Sequence, residues 1–471
     1  VTELHDLDAT DQAELLRRRE VSSVELVGHH LDRVDRYAEA LGAFITVTAE
    51  QALERAEAAD ARLAAGDAPA FCGVPTAFKD LTSTIGVRTT MGSALMAENV
   101  PVVDAYVVTL MQQAGFISLG KTNTPEFGLS SYTDNDVIGP AATPWDLTRN
   151  AGGSSGGAAA AVAARLVPLA EGSDGGGSIR IPASCCGIVG FKPSRGRVSA
   201  GPLGSDWSGL AGDGPLARTV RDAASLLDVM AHPMPGDFRP LPDPVVPFAE
   251  WIRLEPGRLR IARWSTPYLP FAKTSPESLA AWESASRLLE SLGHEIVDVD
   301  NPFPAELEPQ FNVVWSSGMA AAPVPEEAIP MLRQNTRYWL ARGKEATGVE
   351  LARAIQFLEA TCRDVVTRMQ DFDVWLTPTL ALPPQPHAWF TESGDPTEDH
   401  RRELLFTPFT AVYNMAGVPA ASLPLHWTDD GLPVGVMLAG RPGEDGPLFS
   451  LLAQVEAAAP WAERVPPTPV T

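Results

Sequence analysis

The sequence predicts an α/β fold, with a β-sheet flanked by helices in one large domain. Three features carry that expectation. Apolar side chains recur at helical spacing over the first ~65 residues. From Phe71 to about Val198, short apolar runs alternate with Gly, Thr and Ser clusters, the texture of helices and strands in turn. Near the end, Pro419 to Leu438 reads as two strands turning at Asp429-Asp430-Gly431.

At the N-terminus, Leu15, Leu16, Val24, Leu26, Val27, Leu31 and Val34 mark helix, and an acidic, alanine-rich helix runs from Glu50 to Ala65, ended by Gly66-Asp67. Val107-Val108-Thr109-Leu110 and Phe116-Ile117-Ser118-Leu119 read as strand-like runs, and Pro144 to Asn150 as a loop. Ala158 to Arg165 is strongly helix-forming, and Val167 to Ala170 can return beside it as a strand. Residues 232–250 are proline-rich and read as a surface connector. Beyond it, Leu259–Trp264 and His294–Val299 read as strands around an amphipathic helix, Pro276 to Leu292, and a helix-rich section spans Glu326 to Met369. The expected organisation is a single domain over 1–471: an N-terminal helical part (1–70), a motif-bearing core (71–230), a helical insertion (231–370) and a C-terminal part of the same sheet (371–471).

Bulk properties exclude several functions. The formal charge is −23, from 59 acidic and 36 basic residues, which disfavours nucleic acid as a partner because phosphate contacts dominate that affinity. The first thirty residues are charged and lack the apolar core and cleavage site of a signal peptide. No stretch approaches the ~18 uncharged apolar residues of a membrane span; the nearest, Gly156 to Ala170, contains Arg165. Cys72, Cys185, Cys186 and Cys362 show no metal-ligand spacing and read as small buried residues in a reducing compartment. The expectation is a cytoplasmic enzyme with a small-molecule substrate, monomeric or homodimeric, without nucleic acid or membrane partner.

The chemistry concentrates in residues 151–192, where two Gly-Ser-rich turns are separated by a helix-sized and a strand-sized run. Such a path can bring Ser154, Ser155 and Ser178 to the same end of a sheet. Glycines around a serine accept backbone conformations closed to other residues and let main-chain N–H groups approach a substrate. The run Asp174-Gly175-Gly176-Gly177-Ser178 is therefore open to three readings. It is a flexible turn, a phosphate cradle (weak, because no G-x-x-x-x-G-K-[ST] follows), or an oxyanion hole, which requires a nucleophile and a base.

A competing motif lies in the same stretch. Gly153-Ser154-Ser155-Gly156-Gly157 matches G-x-S-x-G, the nucleophile elbow of Ser-His-Asp hydrolases. His232, His294, His387, His400 and His426 follow, none in a glycine-rich or acid-paired setting, and no strand is expected directly before the turn.

Taken together, GGSSGG and GSDGGGSIRIPAS, continued by CCGIVGFKPSRGRVS, resemble the amidase signature. The likeness extends upstream through GVPTAFKDL, TTMGS and AGFISLGKTNTPEFG, and downstream through GPLARTVRDAA, DVWLTPT, FTAVYNMAGVPAASLPL and GLPVGVML. It covers most of the chain, least securely between 232 and 370. This resemblance implies a central mixed sheet flanked by helices, and an amidohydrolase with a Ser–cis-Ser–Lys triad. Ser178 would be the nucleophile, Ser154 the bridging residue after a cis peptide, and Lys79 in Phe-Lys-Asp the base. The N–H groups of Gly175, Gly176, Gly177 and Ser178 would form the oxyanion hole. Ser155 is expected to cap the following helix and bond the nucleophile region. Asp174 and Arg180 would brace the loop as an ion pair, and Asp80 would orient backbone near Lys79.

The implied chemistry makes one demand. An ordinary lysine is neutral in only about one molecule in 2,500 at pH 7, so Lys79 must be shifted down by burial or a cationic neighbour. No H-E-x-x-H or Cys/His cluster suggests a metal, and no cofactor is implied. Relatives often carry Thr or Ser where this chain has Gly175, and Gln where it has Met437. In the glutaminase branch, the subunit of a tRNA-dependent amidotransferase, an Arg and a Tyr follow GRVS, whereas here Ala200-Gly201-Pro202 follows. That difference favours a free-standing hydrolase over that branch, and the complete triad over a non-catalytic scaffold. Met96, Phe127, Ser130, Tyr132, Thr133, Trp207 and Trp315 are the pocket candidates. Their character favours an uncharged, hydrophobic, aryl-bearing amide. Esters and carbamates (urethanes) share the tetrahedral intermediate and come within the same expectation.

Overall fold

Two sheets meet edge to edge, and the candidate site lies where they meet. Strands β1 (Phe44–Val47), β2 (Pro75–Lys79) and β3 (Ile117–Thr122) form the smaller sheet in the order β1-β3-β2, with β1 antiparallel and β2 parallel to β3. Strands β4 (Ala142–Thr143) and β5 (Asp146–Asn150) form a short hairpin. The larger sheet holds eight strands: β6 (Leu169–Asp174), β7 (Val189–Lys192), β8 (Gly212–Ala217), β9 (Arg260–Arg263), β10 (Glu295–Asp298), β11 (Val374–Pro378), β12 (Ala420–Trp427) and β13 (Pro433–Ala439). Their order is β10-β9-β11-β13-β12-β7-β8-β6. Only the β9 pairings, with β10 and β11, are parallel, so the sheet is mixed. The computed structural model describes residues 3–204 and 207–467.

Strand β6 is the terminal strand of the larger sheet, and β2 lies against it through side-chain bonds. Thr76 Oγ1 donates to the Leu169 carbonyl at 3.2 Å, and the Lys79 N–H donates to Glu171 Oε2 at 2.8 Å. Behind this seam packs helix Gly156–Ala163, all eight of its residues buried. Its glycine and alanine content permits that position: a Cβ on Gly157 would lie 2.2 Å from the Asn123 nitrogen.

The flanking helices follow from local sequence. Helix Ser23–Leu41 opens on a Ser22/Glu25 capping box and ends at Gly42 in the left-handed region, while helix Gly348–Arg368 opens on a Thr347/Glu350 box. The helices at Ala49–Ala65 and Pro276–Ser291 match their expected spans closely, as does the β12–β13 pair. Among the described residues, no helix is long and apolar enough to cross a membrane. The four cysteines are buried and unpaired.

Two expectations fail. Val107-Val108-Thr109-Leu110 lies in helix Tyr106–Gln113, which buries Val107, Val108 and Met111 on one face. The β-branched run obscured a period that appears only with Met111 included. Residues 146–150 form β5, not a loop. The polar strand is held by its partners: Asn150 N–H donates to the Gln385 carbonyl at 2.9 Å and Arg149 to the Pro384 carbonyl at 2.8 Å.

Candidate active site

Lys79 is the last residue of β2, and β6 brings Glu171 and Ser173 to it from the same face, as the period-two alternation of a strand requires. Lys79 Nζ donates to Ser154 Oγ at 2.7 Å, to Ser173 Oγ at 2.9 Å and to the Ser173 carbonyl at 3.3 Å. Ser154 sits in the turn between β5 and the buried helix, and the Gly153–Ser154 peptide is cis. The turn approaches its neighbours closely: a Cβ on Gly153 would meet the Tyr132 backbone at 2.6 Å.

Lys79 is 0% exposed, Ser154 2% and Ser178 7%. Burial lowers the Lys79 ammonium to a pKa of about 8, against the opposing fields of Glu171, Asp213 and Asp174. Burial likewise raises the Glu171 carboxyl, which accepts from the Lys79 backbone and from Thr82 Oγ1. Lys121, also fully buried, reaches the carbonyl of the same Thr82. Asp80, the residue after Lys79, directs its carboxylate to the backbone turn at 90–92. Its Oδ2 accepts from the Thr90 N–H (2.9 Å), the Thr90 hydroxyl and the Gly92 N–H, bracing the turn at 90–92.

Ser178 follows the glycine loop that leaves β6. Its carbonyl accepts the Ser155 N–H at 3.1 Å, which ties the two serine turns together. The Ser178 hydroxyl is not hydrogen-bonded to Ser154 among the described residues. Asp174 and Arg180 form an ion pair with both side chains 0% exposed, Oδ1 to Nη2 at 2.9 Å. Burial opposes ionisation of Asp174, yet the Arg180 guanidinium holds its carboxyl well below the usual range. The same carboxylate accepts from the N–H groups of Gly177 (2.7 Å) and Ile179 (3.1 Å). The Gly177 amide is therefore spent inside the protein, and the oxyanion candidates reduce to Gly175, Gly176 and Ser178. Gly177 has φ +132°, and a Cβ there would lie 2.4 Å from Thr410 Oγ1, so its role is to shape the loop.

Ser155 precedes helix Gly156–Ala163 but does not cap it through its side chain. Its hydroxyl instead donates to the Ser173 carbonyl at 3.2 Å. That contact joins the Ser154 turn to β6.

A cavity opens over Ser178 and Gly176, walled by Leu129, Ser130, Ile181, Tyr268, Phe311, Trp315, Trp339 and Leu404. Phe311 and Trp315, stacked with centroids 5.3 Å apart, lie over the glycine loop. A Cβ on Gly175 would be 3.0 Å from Trp315 Cζ3, and one on Gly176 3.3 Å from Phe311 Cζ. Of the seven pocket candidates, Ser130 and Trp315 line this cavity. Phe127 packs in the apolar cluster behind Trp315, and Met96 sits half-buried in the single turn Ala94–Met96. Tyr132 stacks on Phe390 at 4.6 Å and borders a neighbouring polar hollow with Arg333. Thr133 is fully buried, its hydroxyl donating to the Gly152 carbonyl at 2.8 Å. Trp207 lies on a different hollow, with Tyr106, Arg195 and Phe238. Packing and hydrogen bonding elsewhere in the fold hold these side chains away from the Ser178 cavity.

Several residues at the site were not anticipated. Glu171 and Ser173 had a usable signal, since alternate residues of a strand share a face. Asn414, whose Nδ2 donates to Asp174 Oδ1 at 2.8 Å, and Thr410, whose hydroxyl donates to the Gly176 carbonyl at 2.7 Å, had none beyond their place in the FTAVYNMAG motif. The elbow reading loses one objection, because β5 is a strand. It gains no base: no histidine is hydrogen-bonded to Ser154, Ser155 or Ser178 among the described residues.

The family model described as Amidase matches residues 25–449. A putative amidase of Synechocystis sp. is 39% identical over 455 residues, covering 96% of this chain and 88% of its own length. The structure of 6-aminohexanoate cyclic dimer hydrolase complexed with substrate superposes with a TM-score of 0.91 at 32% identity, covering 98% of this chain and 99% of that one. A bacterial aryl acylamidase belonging to the amidase signature enzymes gives a TM-score of 0.89 at 28% identity, covering 98% and 97%.

Proposed function

The chain belongs to the amidase signature family, hydrolases that act on amides, and we propose that it cleaves the C–N bond of a small amide with a hydrophobic or aryl body through an acyl-enzyme on Ser178. The observation that carries the mechanism is the buried contact of Lys79 Nζ with Ser154 Oγ at 2.7 Å. With a pKa of about 8, roughly one Lys79 in ten is neutral at pH 7. A neutral amine has two N–H groups and one lone pair. It can give its protons to the Ser173 hydroxyl and carbonyl and accept the proton of Ser154.

Ser178 Oγ attacks the carbonyl carbon as its proton passes to Ser154 and the Ser154 proton passes to Lys79. The oxyanion collects N–H donors from Gly175, Gly176 and Ser178, in the loop that the Asp174–Arg180 pair holds in place. Collapse breaks the C–N bond, and the departing amine takes the proton back along the same path. Water then attacks the ester carbonyl with the relay repeated, releasing the acid and restoring the Ser178 hydroxyl. Aryl esters and carbamates pass through the same intermediate and fall within this reading. The aromatic wall of Phe311 and Trp315 supports the hydrophobic or aryl assignment.

The test is kcat/KM on a matched panel of aliphatic amide, anilide, aryl ester, aryl carbamate and glutamine, with wild type, Lys79→Ala and Ser178→Ala. Activity on the first four is expected to fall by orders of magnitude in both variants. Near-normal activity of Ser178→Ala on every substrate overturns the mechanism, and glutamine as best substrate overturns the free-standing reading.

A further inference from the structure

The cavity beside Ser178 carries ionisable groups of almost one sign. Glu308, Glu403 and His400 line it, with no lysine or arginine among its walls. We propose that it selects amides whose hydrophobic body also bears an alkylammonium group, held at the pole formed by Glu308, Asn312 and Glu403. The proposal rests on Ser178 being the reacting residue, and it revises the expectation of an uncharged substrate.

Glu308, Phe311, Asn312 and Trp315 project from one face of helix Leu307–Ala320. Trp315 and Phe311 cover Gly175 and Gly176. At 1.5 Å of rise per residue, Glu308 lies ~4.5 Å further along the axis than Phe311 and ~10 Å from Trp315. A substrate laid along this face from Ser178 therefore meets a carboxylate within a short alkyl chain.

The pole is rich in acceptors. Glu308 Oε1 lies 3.6 Å from His400 Nε2 and accepts from Asn312 Nδ2, and the adjacent His400 holds its carboxyl below the ordinary range. Glu403, 6% exposed, accepts the Ser131 N–H at 2.6 Å, and burial raises its carboxyl. An independent observation points to a ligand. Asn312, 6% exposed, lines the same cavity, and its Oδ1 has no hydrogen-bond partner among the described residues. Unpaired buried polar atoms are costly, and an N–H donor relieves Asn312 Oδ1. The aromatic rings of Tyr268, Trp315 and Trp339 complete walls that suit a cation. A carboxylate there would face like charge.

The measurement is made at pH 8.5, where an alkylammonium (pKa about 10.4) is charged. Ser178→Ala protein, which binds without turnover, is titrated calorimetrically with anilides of four- to six-carbon acids ending in ammonium, methyl or carboxylate. At one chain length the ammonium ligand is expected to bind at least tenfold tighter than its methyl isostere, with the carboxylate weakest. In Ser178→Ala/Glu308→Gln the ratio falls to within threefold. The proposal is overturned if methyl binds as tightly as ammonium at every length, if carboxylate binds tightest, or if the ratio survives Glu308→Gln in a protein of unchanged Tm. Should the double variant not fold, the ratio in Ser178→Ala alone decides. Hydrolysis of the same anilides by wild type is scored separately: ammonium preference without turnover sinks the proposed reaction and not the recognition.

Discussion

Trp315 lies against the bare Cα of Gly175, so close that a Cβ at 175 would stand 3.0 Å from its Cζ3 atom. The loop that carries the proposed oxyanion donors and the aromatic wall of the cavity are thus fitted to each other. Gly175→Thr is expected to displace the Trp315 ring and lower kcat/KM on aryl substrates about tenfold. Trp315→Ala in the same chain restores part of the loss, with a coupling of about 1 kcal/mol in a double-mutant cycle. Additive effects would show that the two residues do not constrain each other.

Lys79 titrates near pH 8 because burial disfavours its charge, and the proposed base is the neutral form. Activity therefore rises with pH. Wild-type kcat/KM on an anilide is expected to climb ~10-fold per unit below that value and to level above it. Lys79→Met lowers kcat/KM by ~10²–10⁴ and removes the limb. A wild-type profile flat from pH 6 to 9 argues against lysine as the base.

The Asp174–Arg180 pair is wholly buried, and Asp174 also holds two backbone N–H groups of the loop. Arg180→Met leaves that carboxylate without its counter-charge, and urea unfolding should show a loss of ~3–5 kcal/mol. Asp174→Asn/Arg180→Met recovers part of it, since no uncompensated charge remains. A loss below about 1 kcal/mol for the single variant would mean that the pair does not brace the loop.

Trp207 borders a hollow that shares no lining residue with the Ser178 cavity. Trp207→Ala should keep kcat/KM on hydrophobic anilides within twofold of wild type. A tenfold loss would place Trp207 in the substrate path.

The limits of sequence reading follow the range of the interactions involved. Helix Ala49–Ala65 was legible because its stop at Gly66 and its alanine-rich run act within a few residues. Strand β5 was not, because polar side chains mask it and its support comes from Gln385 and Pro384. Gly177 was legible as a special backbone position, but that its amide serves Asp174 depends on how the loop closes on itself. Glu171 and Ser173 share a strand face that could have been read. Their relevance required knowing that β2 lies alongside β6.

What the chain determined by itself was local and compositional. It set the α/β alternation, the two serine turns rich in glycine, the lysine of Phe-Lys-Asp, and the family they mark. Tertiary structure decided what surrounds them. Lys79 and Ser154 lie 75 residues apart, and Asn414 reaches Asp174 across 240. Burial that lowers the Lys79 pKa, the fit of Trp315 to Gly175, and the carboxylates facing Ser178 all arise between elements remote in the chain. Backbone preference acts on neighbouring residues and leaves its mark in sequence. Desolvation and side-chain contact depend on how whole elements dock, and no local pattern records that.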